Sequence, residues 1–223
     1  MGRNKNSGHY MLGASNRSER EREQDDFYAT PYIATRKLLE KLKEHKIVLP
    51  KKIVEPAVGM GHIAKVLEEA GHKVSCIDVV DRKWPNTRIA DFLEETSLDG
   101  EAIVTNPPYS GSYKFIEKAL ELLQDDQFCI MLLKLQFLEG KERYKKLYSN
   151  GLNPRNIFIF SSRINCAKGG NFKEENELFE NATKNSLINN SIEAESANGG
   201  QICYMWTVWQ KGYKGQTIVD WIG

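Results

Sequence analysis

The chain has no run of ~20 apolar residues, the length an α-helix needs to cross a bilayer. Its opening residues are too polar for a secretory signal, which predicts a cytoplasmic protein without membrane attachment. Cysteine is scarce: Cys76, Cys129, Cys166 and Cys203 stand far apart and form no C-x-x-C pair. Cys76 and Cys129 fall inside apolar, strand-like runs, so buried free thiols are expected rather than disulfides or a zinc site. Net charge is nearly absent as well, with 31 Lys and Arg against 30 Asp and Glu. Such a balance exerts no overall pull on nucleic acid or an anionic membrane, so any nucleic-acid contact must come from local patches. No internal repeat is present. What remains is a 223-residue chain, 40% hydrophobic and 27% charged, with the composition of a soluble globular protein and the length for one domain with a real core.

Residues 1–24 are rich in Gly, Ser, Asn and alternating charge with little apolar periodicity, and read as a flexible tail before a domain over 25–223. Within that domain strand-like and helix-like segments alternate. Ile53 to Glu55 reads as a strand, Ile63 to Ala70 as a helix, and Val74 to Ile77 as a second strand. A short strand follows around Arg88 to Ala90, then the apolar run Ala102-Ile103-Val104 and a helical face over Tyr113 to Leu123. Phe128 to Leu133 is almost continuously apolar, as a strand covered on both faces should be. A short helix over Glu142 to Tyr148, a strand over Asn156 to Phe160 and a strong strand over Ile202 to Gln210 complete the pattern. This alternation argues for an α/β fold, a mostly parallel sheet with helices on both sides. Residues 161–200 differ in texture, a long polar insertion that either orders on binding or acts as a spacer. Arg163, Lys168 and Phe172 in it can grip and stack on a substrate, or can simply pack against the body.

The chemistry concentrates in Asn106-Pro107-Pro108-Tyr109, directly after the Ala102–Val104 run. A planar exocyclic amine is a poor nucleophile because its lone pair is delocalised. Two acceptors that take both of its N–H groups pull the nitrogen toward tetrahedral geometry and localise that pair. The Asn106 side-chain carbonyl offers one acceptor and the Pro107 backbone carbonyl the other, while two prolines stiffen the turn in advance. Tyr109 offers a flat face for stacking. A proline-rich turn after a buried strand is the plain alternative.

Other candidates lie at strand ends. Glu55-Pro56 precedes Gly59 and Gly61, whose lack of Cβ lets the backbone approach a ligand. The spacing is neither that of a dinucleotide site nor of a phosphate loop. A carboxylate at Glu55 would repel phosphate and suits a cationic ammonium. Asp78, ending the next strand about twenty residues on, is positioned to take both hydroxyls of a ribose. Asp91 can accept from an adenine amino group while Phe92 covers the ring, or the pair forms an ordinary turn. Thr30 before Pro31 has the form of a helix N-cap and a first-turn proline.

In this order the segments resemble the class I S-adenosylmethionine-dependent methyltransferases that modify exocyclic amines, in particular the small phage-type DNA adenine-N6 methyltransferases. The resemblance covers roughly residues 25–222, and the N-P-P-Y stretch is its most specific part. It implies a Rossmann-like, seven-stranded, mostly parallel sheet with one antiparallel strand, Ile202 to Gln210. It implies S-adenosylmethionine as cofactor, with Tyr28, Thr30 and Pro31 at its methionine end and Glu55, Pro56, Gly59 and Gly61 beneath. Asp78 would hold the ribose, and Asp91 with Phe92 the adenine. DNA is the implied substrate; RNA bases and a protein glutamine are alternatives served by the same motif. A cofactor-binding module without turnover is the alternative of another class. The chain carries no separate target-recognition domain, so specificity has either a partner or another origin. The second stacking aromatic expected after Phe160 has Phe172 as its candidate.

Overall fold

The computed structural model describes residues 27–164, 166–168 and 202–223. The expected tail over 1–24, Phe172 and most of the 161–200 insertion lie outside the described residues. The elements are β1 (Tyr28–Ala29), α1 (Tyr32–Glu44), β2 (Lys52–Glu55), α2 (His62–Glu69), β3 (Lys73–Asp78), β4 (Arg88–Ile89) and β5 (Ala102–Thr105). There follow α3 (Ser112–Leu122), β6 (Phe128–Lys134), α4 (Lys141–Lys146), β7 (Asn156–Phe160), β8 (Ala167–Lys168), β9 (Tyr204–Gln210) and β10 (Ile218–Ile222).

The main sheet runs β10-β7-β9-β6-β5-β2-β3-β4. Strand β9 lies antiparallel between β6 and β7, and every other pair is parallel. The mostly parallel sheet with one antiparallel strand is therefore present, but it has eight strands, not seven. The additional strand is β10, which pairs with β7 from Ile218↔Asn156 to Ile222↔Phe160. Its apolar pattern is uninformative because it is an edge strand: Ile218, Val219 and Trp221 are exposed and only Ile222 is buried.

Each interior strand feeds two cores. In β6, Ile130 and Leu132 face a cluster containing Leu38 and Leu42 of α1 and Ile63 and Leu67 of α2. Cys129, Met131 and Leu133 face Phe115, Ile116 and Ala119 of α3. This two-sided burial is the physical source of the continuous apolar run. Trp206 of β9 is fully buried, and its Nε1 donates to the Ala34 carbonyl at 2.9 Å, bolting α1 to the sheet. All four cysteines are free, with Cys76 and Cys129 buried. Among the described residues no helix is long and apolar enough to cross a membrane.

Strand β10 is held by Asp220, which lies 2.9 Å from His45 Nε2 and accepts from Lys41 Nζ at 3.1 Å. These bonds, with the Trp221 N–H, hold its carboxyl well below the usual carboxylate range. A depressed acid stabilises the fold above its ordinary value of 3.8 and loses that contribution as pH falls toward the depressed one. Because the side chain is about one-third exposed, Asp220→Asn is expected to cost only about 0.5–1 kcal/mol at neutral pH. Amide hydrogen exchange should quicken in β10 first, and uniform quickening across the sheet would contradict a local role.

Candidate active site

The C-terminal ends of β2, β3 and β5 open on one side of the sheet, and residues 27–30 cross that edge. Together they enclose a cavity of about 250 Å³. Asp91, Phe92 and Leu93 line one end, Asp78, Arg82 and Phe27 the middle, and Glu55 to Val58 with His62 its floor. Tyr28, Thr30 and Asn106 to Tyr109 line the other end. The residues singled out in the sequence at four separate strand ends thus share one cavity.

The Asn106 turn is rigid. Gly111 N–H donates to the Pro108 carbonyl at 3.1 Å. Ser112 Oγ donates to the carbonyls of Pro108 and Tyr109 at 3.1 and 3.2 Å. These turn bonds leave out the Pro107 carbonyl. The Asn106 amide donates from Nδ2 to the Tyr28 carbonyl at 3.0 Å and to Thr30 Oγ1 at 3.1 Å. A backbone carbonyl can only accept, so this contact fixes which end of the amide carries the nitrogen. Asn106 Oδ1 is then a buried acceptor with no partner. The Thr30 hydroxyl serves this purpose and not the N-cap suggested by the sequence. Helix α1 starts at Tyr32 after Pro31, with no side-chain cap, and Thr30 is buried.

Tyr109 is less open than its role in stacking would suggest. Lys134 Nζ lies 4.0 Å from the ring centre, and the Tyr28 and Tyr204 rings lie 5.6 and 6.2 Å away. Its hydroxyl donates to Tyr204 Oη at 3.2 Å, and burial raises its pKa well above the usual phenol range, so it stays protonated.

Glu55 is 1% exposed, and its Oε2 has no partner. Burial raises its pKa well above 4.5; the Ala64 backbone N–H works against this, and the charges of Asp78 and Glu68 add to it. A buried acid facing a cavity with an unpaired oxygen suits a ligand bearing an ammonium. Asp78 is buried and engaged on both oxygens. Oδ2 accepts from Gly59 N–H at 2.7 Å, and Oδ1 accepts from Val80 N–H at 2.9 Å and from Arg82 at 3.0 Å. The Arg82 guanidinium also lies 4.4 Å from the Phe27 ring centre, roofing the middle of the cavity. Asp91 Oδ1 caps the following 3-10 turn through Leu93 N–H at 2.9 Å, and Phe92 is buried against Phe115 with ring centres 5.1 Å apart.

Some expected residues stand elsewhere. Gly59 and Gly61 have φ of 57° and 81°, and an added Cβ would fall 2.3 Å from the Phe27 ring and 2.0 Å from the Trp84 ring. Their glycine is demanded by backbone handedness and protein rings, and neither lines the cavity, nor does Pro31. Pro56 does line it. Arg163 is exposed and donates to Cys203 Sγ. The Lys168 backbone pairs with Tyr28 in the small antiparallel β1–β8 ladder, so the polar insertion begins by pinning the strand that holds Asn106. Phe27, His62 and Arg82 line the cavity without having been singled out. The His62 ring is pushed down to about 4 by burial and by Lys65, so it is neutral at physiological pH. Its position directly after the glycine turn was the available signal.

No family model matches this chain, and no curated protein matches it in sequence. Solved structures do. The methyltransferase subunit of a type I restriction-modification system from Streptococcus thermophilus superposes with a TM-score of 0.58 at 11% identity, over 87% of this chain and 47% of its own. The type IIG restriction endonuclease BpuSI gives 0.57 at 13% identity, over 86% of this chain and 27% of its own. A Listeria monocytogenes protein described as a class I S-adenosylmethionine-dependent methyltransferase gives 0.55 at 12% identity, covering 89% and 67%. The fold is the Rossmann-like fold of class I methyltransferases. At these identities the likeness speaks to fold alone.

Proposed function

We propose that the protein transfers a methyl group from S-adenosylmethionine to the exocyclic N6 amine of adenine in DNA by direct in-line displacement. The observation that carries this reading is Asn106 Oδ1, a buried acceptor with no partner, held in orientation by Tyr28 and Thr30. Asn156 Oδ1 is likewise buried without a partner, but of the two asparagines only Asn106 lines the cavity. Asn106 spends only its donors, and its acceptor is aimed at something that donates.

The donor set fits the cofactor. Glu55 would take the ammonium of the methionine part, Asp78 the ribose, and Asp91 with Phe92 the adenine, while Tyr28 and Thr30 would border the methionine end. When bound, S-adenosylmethionine supplies an electrophilic methyl on a sulfonium. The protein's own part is to take the two amine hydrogens on Asn106 Oδ1 and the Pro107 carbonyl, raising the nitrogen lone pair toward the methyl. The turn is already rigid, so little reorganisation is needed at the moment of transfer. An adenine in duplex DNA has to leave the stack, which costs a few kcal/mol. Stacking on Tyr109, worth ~1–3 kcal/mol, offsets part of that cost.

DNA is favoured over RNA or a protein glutamine by the resemblance of the segment order to phage-type adenine methyltransferases. The test is incubation with labelled S-adenosylmethionine and mixed-sequence duplex DNA, followed by digestion to nucleosides. N6-methyladenine is the expected product. Label appearing only in RNA, in peptide or as N4-methylcytosine would replace this reading.

A further inference from the structure

The surface beside Tyr109 carries a charge pattern that methyl transfer itself does not use. Lys134, the last residue of β6, holds its ammonium over the very ring that a flipped base needs. Between residues 134 and 146 the cationic side chains Lys134, Lys141, Arg143, Lys145 and Lys146 outnumber Glu139 and Glu142, in a protein whose net charge is only +1. Arg143 is used internally: its Nε donates to the Phe137 carbonyl at 2.7 Å, fixing α4 to the turn that follows β6. Lys141, Lys145 and Lys146 are exposed, as is Tyr144 on the same helix. Lys146 Nζ lies 4.5 Å from the centre of the Tyr113 ring, in the first turn of α3. The basic end of α4 therefore stands beside the segment that leaves Tyr109.

We propose that Lys134 exchanges between Tyr109 and the DNA backbone. Before the base arrives it covers the ring. When the base takes that face, Lys134 moves to a phosphate of the target strand, next to Lys145 and Lys146. An ammonium and a base cannot occupy one ring face together, and each is held there by the same π-cloud. Lysine's flexible stem and compact charge suit a group that changes partners, and phosphate contacts of this kind fix position without reading sequence. The inference rests on the DNA reading above.

The experiment measures transfer to a duplex oligonucleotide between ~50 and ~200 mM salt. It compares wild type, Lys134→Gln, Lys134→Arg and the double variant Lys145→Gln/Lys146→Gln, with cofactor affinity measured separately by calorimetry. Lys134→Gln should raise KM for DNA by about 3–10-fold and flatten the plot of log KM against log salt by about one unit of slope. The double variant should flatten it by about two, and Lys134→Arg should stay near wild type. Cofactor affinity should not move in any of them. An unchanged salt slope in Lys134→Gln, with loss confined to kcat and Tm, would mean that the lysine only supports Tyr109, and the proposal falls. If wild type transfers no methyl to any DNA, the functional reading falls and takes the proposal with it. The two failures are separable, because the first is seen only in an enzyme that methylates DNA.

Discussion

Asn106→Ala should lower kcat by about 10²–10³-fold while leaving S-adenosylmethionine affinity within about a factor of three of wild type. The size follows from what is removed, one of two fixed dipoles that act on the amine only as its nitrogen changes geometry. In the proposed arrangement the cofactor's larger groups would face Glu55, Asp78 and Asp91, which the substitution does not touch, so binding and turnover should separate. The part-buried Tyr28 carbonyl loses its donor in this variant, and that costs stability of about 1–3 kcal/mol. A fall in kcat alone therefore needs a companion. Thr30→Val supplies it: the Asn106 side chain remains, but one of the two bonds that orient it is gone. Losing one such bond, about 1 kcal/mol, should reduce kcat by roughly 5-fold. If Asn106→Ala and Thr30→Val impaired cofactor binding and turnover in equal measure, Asn106 would be a structural residue and the methyl-transfer reading would lose its main support.

Much of the fold was legible because its signals are local. Strand β6 announces two-sided burial in six successive apolar residues, and the N-P-P-Y turn that lines the cavity occupies four consecutive positions. The strand β10 was not legible, because an edge strand with three exposed apolar residues lacks a burial pattern to read. The purpose of Thr30 was hidden for a different reason. Its hydroxyl serves Asn106, 76 residues away, and nothing in Thr-Pro distinguishes a helix cap from a hydrogen-bond acceptor for another strand's side chain. Gly59 and Gly61 read in the sequence as places where the backbone approaches a ligand, whereas the neighbours that require them are protein rings, Phe27 and Trp84, from distant segments. The same holds for Lys134 over Tyr109, a contact created by adjacent strands β5 and β6. Sequence patterns thus reveal which residues sit at strand ends, and the sheet order decides which of those ends meet.

Glu55→Gln is the second large effect, and it should act in opposite directions on the free protein and on cofactor binding. The folded-state pKa of Glu55 is raised above its ordinary 4.5 by burial. The free protein consequently binds more protons than its unfolded chain as pH rises past that value. Its stability is full below the ordinary value and declines as pH climbs toward the raised one. Glutamine has no charge to desolvate, so Glu55→Gln should flatten this decline and raise Tm near neutral pH. Binding should suffer instead. An ammonium beside Glu55 Oε2 forms a charge-assisted bond worth about 1.5–3 kcal/mol, so its loss should weaken S-adenosylmethionine by roughly 10–100-fold. The same contact favours the ionised acid, so wherever the free protein holds Glu55 protonated, cofactor binding must expel a proton. Affinity should then rise with pH up to the raised pKa and level off beyond it. Calorimetry in two buffers of different ionisation enthalpy measures that proton directly: wild type should release up to one, and Glu55→Gln should release none from this site. Equal proton release by both proteins would remove Glu55 from the ammonium's berth. The cavity would then hold its ligand in some other orientation than the one that aims a methyl at Asn106.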